Sequence, residues 1–331
     1  MSVRREKQSL STKDQWRKNF EKLSGKKALP RDLTPLRYPG GKGSLKYFLA
    51  NVVLENDLVG KQMIEPFCGG AGASIPLLEA GLINRLHLND ANPAIAAFWI
   101  SLTTDTDALI SLIQTTPVTI DQWHRWKEVV KHDDQASQLE LGFAAFFLNR
   151  CNRSGLLSGG PIGGLDQRGN YKIDCRFNKP ELVSRVETIA KHQDKIKVTC
   201  FDACELLQQL SPNIGSDSLI FLDPPYVSQG KNLYKEHCFS EEDHRRLADF
   251  IKDKNWRWLI TYDDHELIHR LYAERARGVI ELSYQMQQAK LGRELLVAST
   301  HCRLPESDCG LAEKRSAVES EDSIQQHASA L

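Results

Sequence analysis

Beyond residue 35 the chain alternates short apolar runs with amphipathic stretches of helical period. Residues 63–67, 86–90, 196–203, 218–226, 256–264 and 294–300 are runs of strand length, and each is followed by turn residues or a helix signal. Between them, residues 73–81 predict a helix with Pro76 early and Gly81 at its C-terminal cap. Residues 105–145 and 178–192 have mainly helical periodicity, and a further helix starts at Ser240, where Ser-Glu-Glu-Asp resembles a capping box. Residues 149–171 are glycine-rich and read as loop, with no internal repeat. Strands separated by helices of this length predict an α/β fold with an open, mostly parallel sheet and an insertion in its middle.

The first thirty residues carry one weak helical stripe, Trp16, Phe20 and Leu23, before Gly25, Pro30 and Pro35 interrupt the chain. Residues 1–31 hold ten Lys/Arg against three Asp/Glu, whereas residues 305–331 hold two against six. The expected layout is therefore a basic arm over 1–33, a body beginning near Thr34, and an acidic, disordered tail over 305–331. At 331 residues with 41% hydrophobic and 26% charged positions, the composition is that of a globular protein and excludes a fibrous or disordered chain. No run reaches the roughly 18 apolar residues of a membrane helix, and the charged start does not read as a signal peptide, so a cytoplasmic protein is expected. None of the eight cysteines forms a C-x-x-C pair, so reduced thiols are expected rather than a zinc ribbon.

In an open α/β sheet ligands bind where strands end, so chemistry is sought there. The run Glu65-Pro66-Phe67-Cys68-Gly69-Gly70-Ala71-Gly72 sets glycines between a strand and a helix, where backbone can approach a nucleoside closely. Asp90 ends the next strand, the place for a carboxylate facing ribose hydroxyls; its alternative is to cap the helix after Asn92-Pro93. The spacing is not G-x-G-x-x-G, which disfavours a dinucleotide.

Asp223-Pro224-Pro225-Tyr226 follows the apolar strand 218–222, and such a tetrapeptide arises by chance in roughly one in a thousand chains of this length. An exocyclic amine on a nucleobase is a poor nucleophile because its lone pair is delocalised into the ring. An aspartate and a proline-fixed carbonyl that each accept one N–H localise that pair, and the tyrosine offers a stacking face for an extruded base. A rigid turn after a buried strand would explain the prolines alone.

These residues, with Arg37-Tyr38-Pro39-Gly40-Gly41-Lys42, Asn89-Asp90-Ala91-Asn92, Phe146-Phe147-Leu148-Asn149-Arg150, Phe201-Asp202-Ala203 and Glu294-Leu295-Leu296, resemble the Dam-like DNA adenine-N6 methyltransferases from about Leu36 to Arg303. The motif order resembles the alpha group of that family. The resemblance implies a Rossmann-like class I methyltransferase sheet formed by 34–92 and 181–304, with a helical, loop-rich target-recognition insert over 93–180. It implies S-adenosylmethionine as cofactor, with Tyr38, Lys42, Glu65, Phe67, Gly69, Gly72, Asp90, Phe201, Asp202 and Asp223 around it. Without the family, Lys42 reads equally as a phosphate ligand or a surface lysine, and Asp202 as a helix cap.

Double-stranded DNA is the implied partner, with Arg150, Arg153, Arg168, Lys172 and Arg176 as phosphate or guanine contacts, although several of them could only solubilise a loop. A monomer is expected, with a cognate restriction endonuclease as a conceivable companion. Where GATC-methylating relatives usually place an aromatic followed by Asn-Gly, this chain has Arg153-Ser154-Gly155-Leu156, so no target sequence is implied. Transfer to cytosine N4 and a non-catalytic nucleic-acid-binding module remain as alternatives. So does a zinc hydrolase, since His265-Glu266-Leu267-Ile268-His269 matches H-E-x-x-H; the expected reading of that stretch is a solvated helix face, with no metal. His244 is expected on a wet helix, and Trp256 and Trp258 in the sheet packing.

Overall fold

In a computed structural model, which describes residues 12–26, 28–30, 33–38, 41–228, 239–273, 276–284 and 290–305, seven strands form one sheet. They are β1 (Lys61–Glu65), β2 (Ile83–Asn89), β3 (Ile196–Thr199), β4 (Ser218–Leu222), β5 (Arg257–Asp263), β6 (Ala276–Tyr284) and β7 (Lys290–Ala298), in the order β3-β2-β1-β4-β5-β7-β6. The first five in that order run parallel, and β7 is antiparallel to both β5 and β6. This is the Rossmann-like sheet expected. Strand β6, however, was not anticipated: the sequence reading placed a strand at 294–300 and none at 276–284.

Strand β4 is buried along its whole length, as a central parallel strand covered on both faces must be. Period-two alternation then feeds two cores. Met63, Leu219, Phe221 and Leu259 point into one, and Ile64, Ile220, Leu222 and Ile260 into the other. Helices α9 (Ala203–Leu210), α10 (Glu241–Lys252) and α11 (Glu266–Leu271) cover the second core through Leu206, Leu247 and Leu267.

The first core extends into α1 (Thr12–Ser24), α2 (Lys46–Glu55), α3 (Ser74–Glu79), α4 (Pro93–Thr104), α5 (Thr106–Thr115), α6 (Ile120–Lys131), α7 (Gln138–Cys151) and α8 (Lys179–Ala190). Two features differ from the sequence reading. The stretch expected to lie in a basic arm is, from Thr12, a helix with Trp16 and Phe20 buried, Trp16 against Phe48 at 5.0 Å between ring centroids. Asn51 Nδ2 donates to the Trp16 carbonyl at 2.9 Å. Burying each aromatic contributes about 2–3 kcal/mol, more than the charges on the opposite face oppose. The insert also shares the sheet's core: Phe98, Trp99, Phe146 and Phe177 lie in the same cluster as Met63 and Leu88. Among the described residues no helix is long and apolar enough to cross a membrane. The six described cysteines are free thiols. The acidic tail lies outside the described residues beyond Pro305.

Candidate active site

The chain leaves β1 toward β2 and leaves β4 toward β5, in opposite directions along the sheet, so a crevice opens between the carboxyl ends of β1 and β4. Ile64 pairs with Ile220, which brings the Glu65–Gly72 turn and the Asp223 segment out side by side.

On the β1 side, Gly69 has φ +44°, and a Cβ there would sit 3.0 Å from the Tyr38 ring; only glycine allows this approach. Asp90 fixes the turn. Its Oδ2 accepts from Gly69 N and its Oδ1 from Asn92 N, both at 2.9 Å. Gly72 packs against Gly43, 3.3 Å from where a Cβ would meet its nitrogen. One buried residue ties three strand ends together. Asn89 Nδ2 donates to the carbonyls of Pro66 and Phe201, each at 2.9 Å, while its Oδ1 accepts from Thr199 Oγ1 at 2.9 Å and Phe201 N at 3.0 Å. Phe201 keeps 37% of its surface exposed beside this knot. Asp202 caps α9 through Cys204 N and Glu205 N and pairs with Arg246 at 2.6 Å.

Glu65 ends β1 fully enclosed, with Ser74 donating to it. Burial, reinforced by Asp223 and Asp90 and opposed by the Ser74 bond, pushes its pKa up to about 8. It is therefore mainly protonated at neutral pH. Phe67, half-buried, meets Phe239 edge-on at 5.6 Å.

On the β4 side, Asp223 Oδ1 accepts from Thr261 Oγ1 at 2.7 Å and lies 2.9 Å from Lys42 Nζ. The same ammonium is 3.4 Å from Glu294 Oε1 and 4.8 Å from the centroid of the Tyr226 ring. Burial would lower the Lys42 pKa, but Asp223 and Glu294 together raise it, so the ammonium stays charged. Burial is also the main reason why the Tyr226 hydroxyl is held well above its ordinary value, with Asp223 and Glu294 adding. Asp263 at the end of β5 holds the next peptides, its two oxygens accepting from Val227 N at 3.1 Å and Ser228 N at 2.9 Å. Pro224 and Pro225 span the bend between strand end and clamp.

Of the sequence-predicted residues, Tyr38, Phe67, Gly69, Gly72 and Asp90 are grouped at the turn after β1 with Phe201 beside it, and Lys42, Asp223 and Tyr226 meet after β4; Glu65 is enclosed at the end of β1, and Asp202 is engaged as a cap. The sequence reading missed Asn89 as the knot, Thr261 and Asp263 as supports, and Glu294 as a site residue, which it quoted only as part of the Glu294-Leu295-Leu296 motif. Polar residues interrupting buried strands were the available signal.

The basic candidates fall into two kinds. Arg150 is half-buried and spends its guanidinium on the carbonyls of Arg176 at 2.7 Å and Pro35 at 3.4 Å, and burial lowers its pKa to about 10. Arg153, Arg168, Lys172 and Arg176 are exposed. They surround a loop braced by Gln167, whose Nε2 donates to the carbonyls of Ile162 and Gly164 and whose Oε1 accepts from Ile173 N. That loop displays Leu165, 56% exposed, and Tyr171, 66% exposed. Asn149 connects it to the Arg37–Tyr38 segment, bonding Arg37 N and O at 2.7 Å and the Gly155 carbonyl at 2.9 Å.

Two expectations need correction. His244 is buried, its Nδ1 3.0 Å from the Tyr262 hydroxyl, because the aromatic side chains of Phe239 and Tyr262 enclose it. In the H-E-x-x-H stretch, His265 is the N-cap of α11 and its ring accepts from Leu267 N, so the two histidines do not share one helix face. His269 pairs with Asp264 at 2.6 Å, and no metal-holding group of three or more His, Cys, Asp or Glu occurs among the described residues.

The fold is a Rossmann-like open sheet with polar residues gathered at the carboxyl ends of its central strands. The family of D12 class N6 adenine-specific DNA methyltransferases matches residues 38–288, and the chain belongs to it. The protein is a DNA adenine methyltransferase. No curated protein matches the chain.

Proposed function

We propose that the methyl donor is S-adenosylmethionine, bound along the carboxyl ends of β1 and β2, and that the target adenine is everted from duplex DNA onto the Asp223–Tyr226 segment. The observation that carries this reading is the meeting of the glycine turn and Asp223 across the β1/β4 crevice, one ligand's length of strand ends. The residues present fit the donor. Gly69 lets backbone approach it, Asp90 stands at the end of β2, where the ribose hydroxyls would lie, and the exposed Phe201 ring offers a face for adenine. Phe201 takes that role rather than Asp202, whose oxygens are already engaged. Bound there, the donor would supply a methyl group on a sulfonium, an electrophile needing only an aligned nucleophile.

The protein's own task is to align and desolvate the amine. Thr261 and Lys42 both contact Oδ1 of Asp223, so Oδ2 is the oxygen offered to the amine, with the Pro224 carbonyl as second acceptor. Two acceptors orient the N–H bonds and turn the nitrogen lone pair out of the ring. Tyr226 stacks on the base, and the protonated Glu65 spares the crevice a further negative charge. Arg153, Arg168, Lys172 and Arg176 contact phosphates or guanine, with Leu165 and Tyr171 presented among them; Arg150 supports the insert from inside. On this reading, 93–180 recognises DNA while 34–92 and 181–304 carry out the transfer.

The test is methyl transfer from the tritiated donor to duplex DNA, followed by nucleoside mass spectrometry. Wild type should yield N6-methyladenine, and Asp223→Ala should bind the donor with transfer reduced at least a thousandfold. Transfer within tenfold of wild type in Asp223→Ala, or N4-methylcytosine as product, refutes the reading.

A further inference from the structure

Lys42 weakens the arrangement just described. Its ammonium lies on Oδ1 of Asp223 at 2.9 Å, drawing negative charge from the carboxylate whose other oxygen is offered to the amine, and over the Tyr226 ring at 4.8 Å, on the ring that an incoming adenine must use. It cannot simply withdraw. The side chain is 5% exposed, and a buried ammonium separated from its counter-ion costs several kcal/mol.

One second anion is within reach. Glu294, 2% exposed on β7, has Oε1 3.4 Å from Lys42 Nζ, close enough for ionic attraction but outside good hydrogen-bond geometry. Neither Glu294 oxygen makes a hydrogen bond of good geometry among the described residues, nor does the Tyr226 hydroxyl, although Tyr226 and Lys42 both lie close enough to the carboxyl to favour its charged form. A buried carboxyl with both oxygens underused, beside a shared ammonium, has capacity for a closer partner.

We propose that Glu294 is a positioning residue that receives Lys42 from Asp223 and Tyr226 as the adenine enters, so that the ammonium is paired throughout. This rests on the assignment of Asp223 and Tyr226 to the target base. The handover needs no covalent step: Lys42 moves from an arrangement shared between two carboxylates to one centred on Glu294. Asp223 is thereby left with undiminished negative charge toward the amine.

The groups facing Glu294 are Lys42, Asp223 and Tyr226, with Asp263 opposite it in register on β5. Burial raises the Glu294 pKa to about 7, Lys42 opposing and Asp223 adding. Only the ionised form attracts Lys42 strongly, so the handover strengthens as pH rises through that value.

The experiment has two arms. In single-turnover methyl transfer on duplex DNA, the wild-type rate should rise between pH 6 and 8, whereas Glu294→Gln should be about tenfold slower at pH 8 and without that rise, with DNA affinity within twofold. In a Lys42→Met background, Glu294→Gln should have no further effect. An equal loss with or without Lys42, or a retained rise in Glu294→Gln, overturns the proposal. The second arm needs no activity. The side-chain ¹⁵N resonance of Lys42, identified by its loss in Lys42→Met, should shift with pH around 7 in wild type and stay flat in Glu294→Gln. A signal constant from pH 6 to 8 in wild type, or an identical response in Glu294→Gln, overturns it. Wild-type protein that methylates no adenine yet shows the Lys42 shift overturns the assignment of the reaction and leaves the Lys42–Glu294 link standing.

Discussion

Replacing Asn89 by alanine removes four hydrogen bonds at once: two donated to the Pro66 and Phe201 carbonyls and two accepted from Thr199 and Phe201. At about 1 kcal/mol net for each bond, the loss is about 4 kcal/mol, less whatever a water entering the vacated space returns. For a chain of this size that corresponds to a fall in Tm of roughly 6 °C, leaving the protein folded at room temperature. The functional cost should exceed the structural one, because the three segments released carry Phe67, Asp90 and Phe201. Asn56 provides the control. It is equally buried and makes three bonds of the same kind, to Val52 and to Arg303 N and O, but joins the end of α2 to the segment after β7. Calorimetric titration with S-adenosylhomocysteine, beside thermal unfolding, separates the effects. Asn89→Ala should lose affinity more than tenfold and Asn56→Ala less than twofold, with comparable falls in Tm. If both variants lose affinity alike, or Asn89→Ala binds as wild type does, the knot is not what shapes the cofactor side.

Asp263→Ala leaves the N–H groups of Val227 and Ser228 without their charged acceptor and should reduce the methyl-transfer rate at least tenfold with duplex affinity unchanged; a rate within twofold shows the clamp to be dispensable. Gly142→Ala should destabilise although alanine favours helices by about 1 kcal/mol, because its Cβ would lie 2.6 Å from the Ala97 carbonyl; a raised Tm refutes the close α4–α7 approach. Burial holds His87 and His244 down at about 4, so both are neutral in the folded protein, whereas the unfolded chain takes up protons near 6.5. Stability should therefore be full above about pH 6.5 and be lost as pH falls toward 4, by on the order of 3 kcal/mol for each histidine, and a Tm unchanged between pH 7 and 4.5 would contradict this.

What was legible in the sequence is what local pattern determines. Strands β1 and β4 announce themselves because both of their faces are buried, and the residues that follow must turn, which is why Gly69 and Pro224-Pro225 stood out. β6 did not, because it pairs antiparallel with β7 at the sheet edge, outside the strand–helix repeat. Helix α1 was half-read: its stripe of Trp16 and Phe20 was visible, but an excess of lysine and arginine says only that one face is wet, not that the other is. His244 was misread for the converse reason, since its flanking Glu242, Asp243, Arg245 and Arg246 describe the outer face of α10, while position 244 faces Tyr262.

Glu294 shows most clearly why a site exceeds its motifs. Its neighbours in sequence are apolar because β7 is buried, and although the Glu294-Leu295-Leu296 motif marks the glutamate, nothing local says what it pairs with. Its meaning comes from register. Pairing with Asp263 on β5 puts it one strand beyond the strand that supports Asp223 through Thr261, and Lys42 reaches it from a segment more than 250 residues earlier in the chain. Burying a carboxylate there is unfavourable unless a cation answers it, and burying Lys42 is unfavourable unless more than one anion does. The two residues therefore account for each other. On the proposed reading the motif at 223–226 supplies the chemistry, but the charge balance around Asp223 is distributed over β4, β5, β7 and the loop before α2, and only the folded sheet brings those elements together.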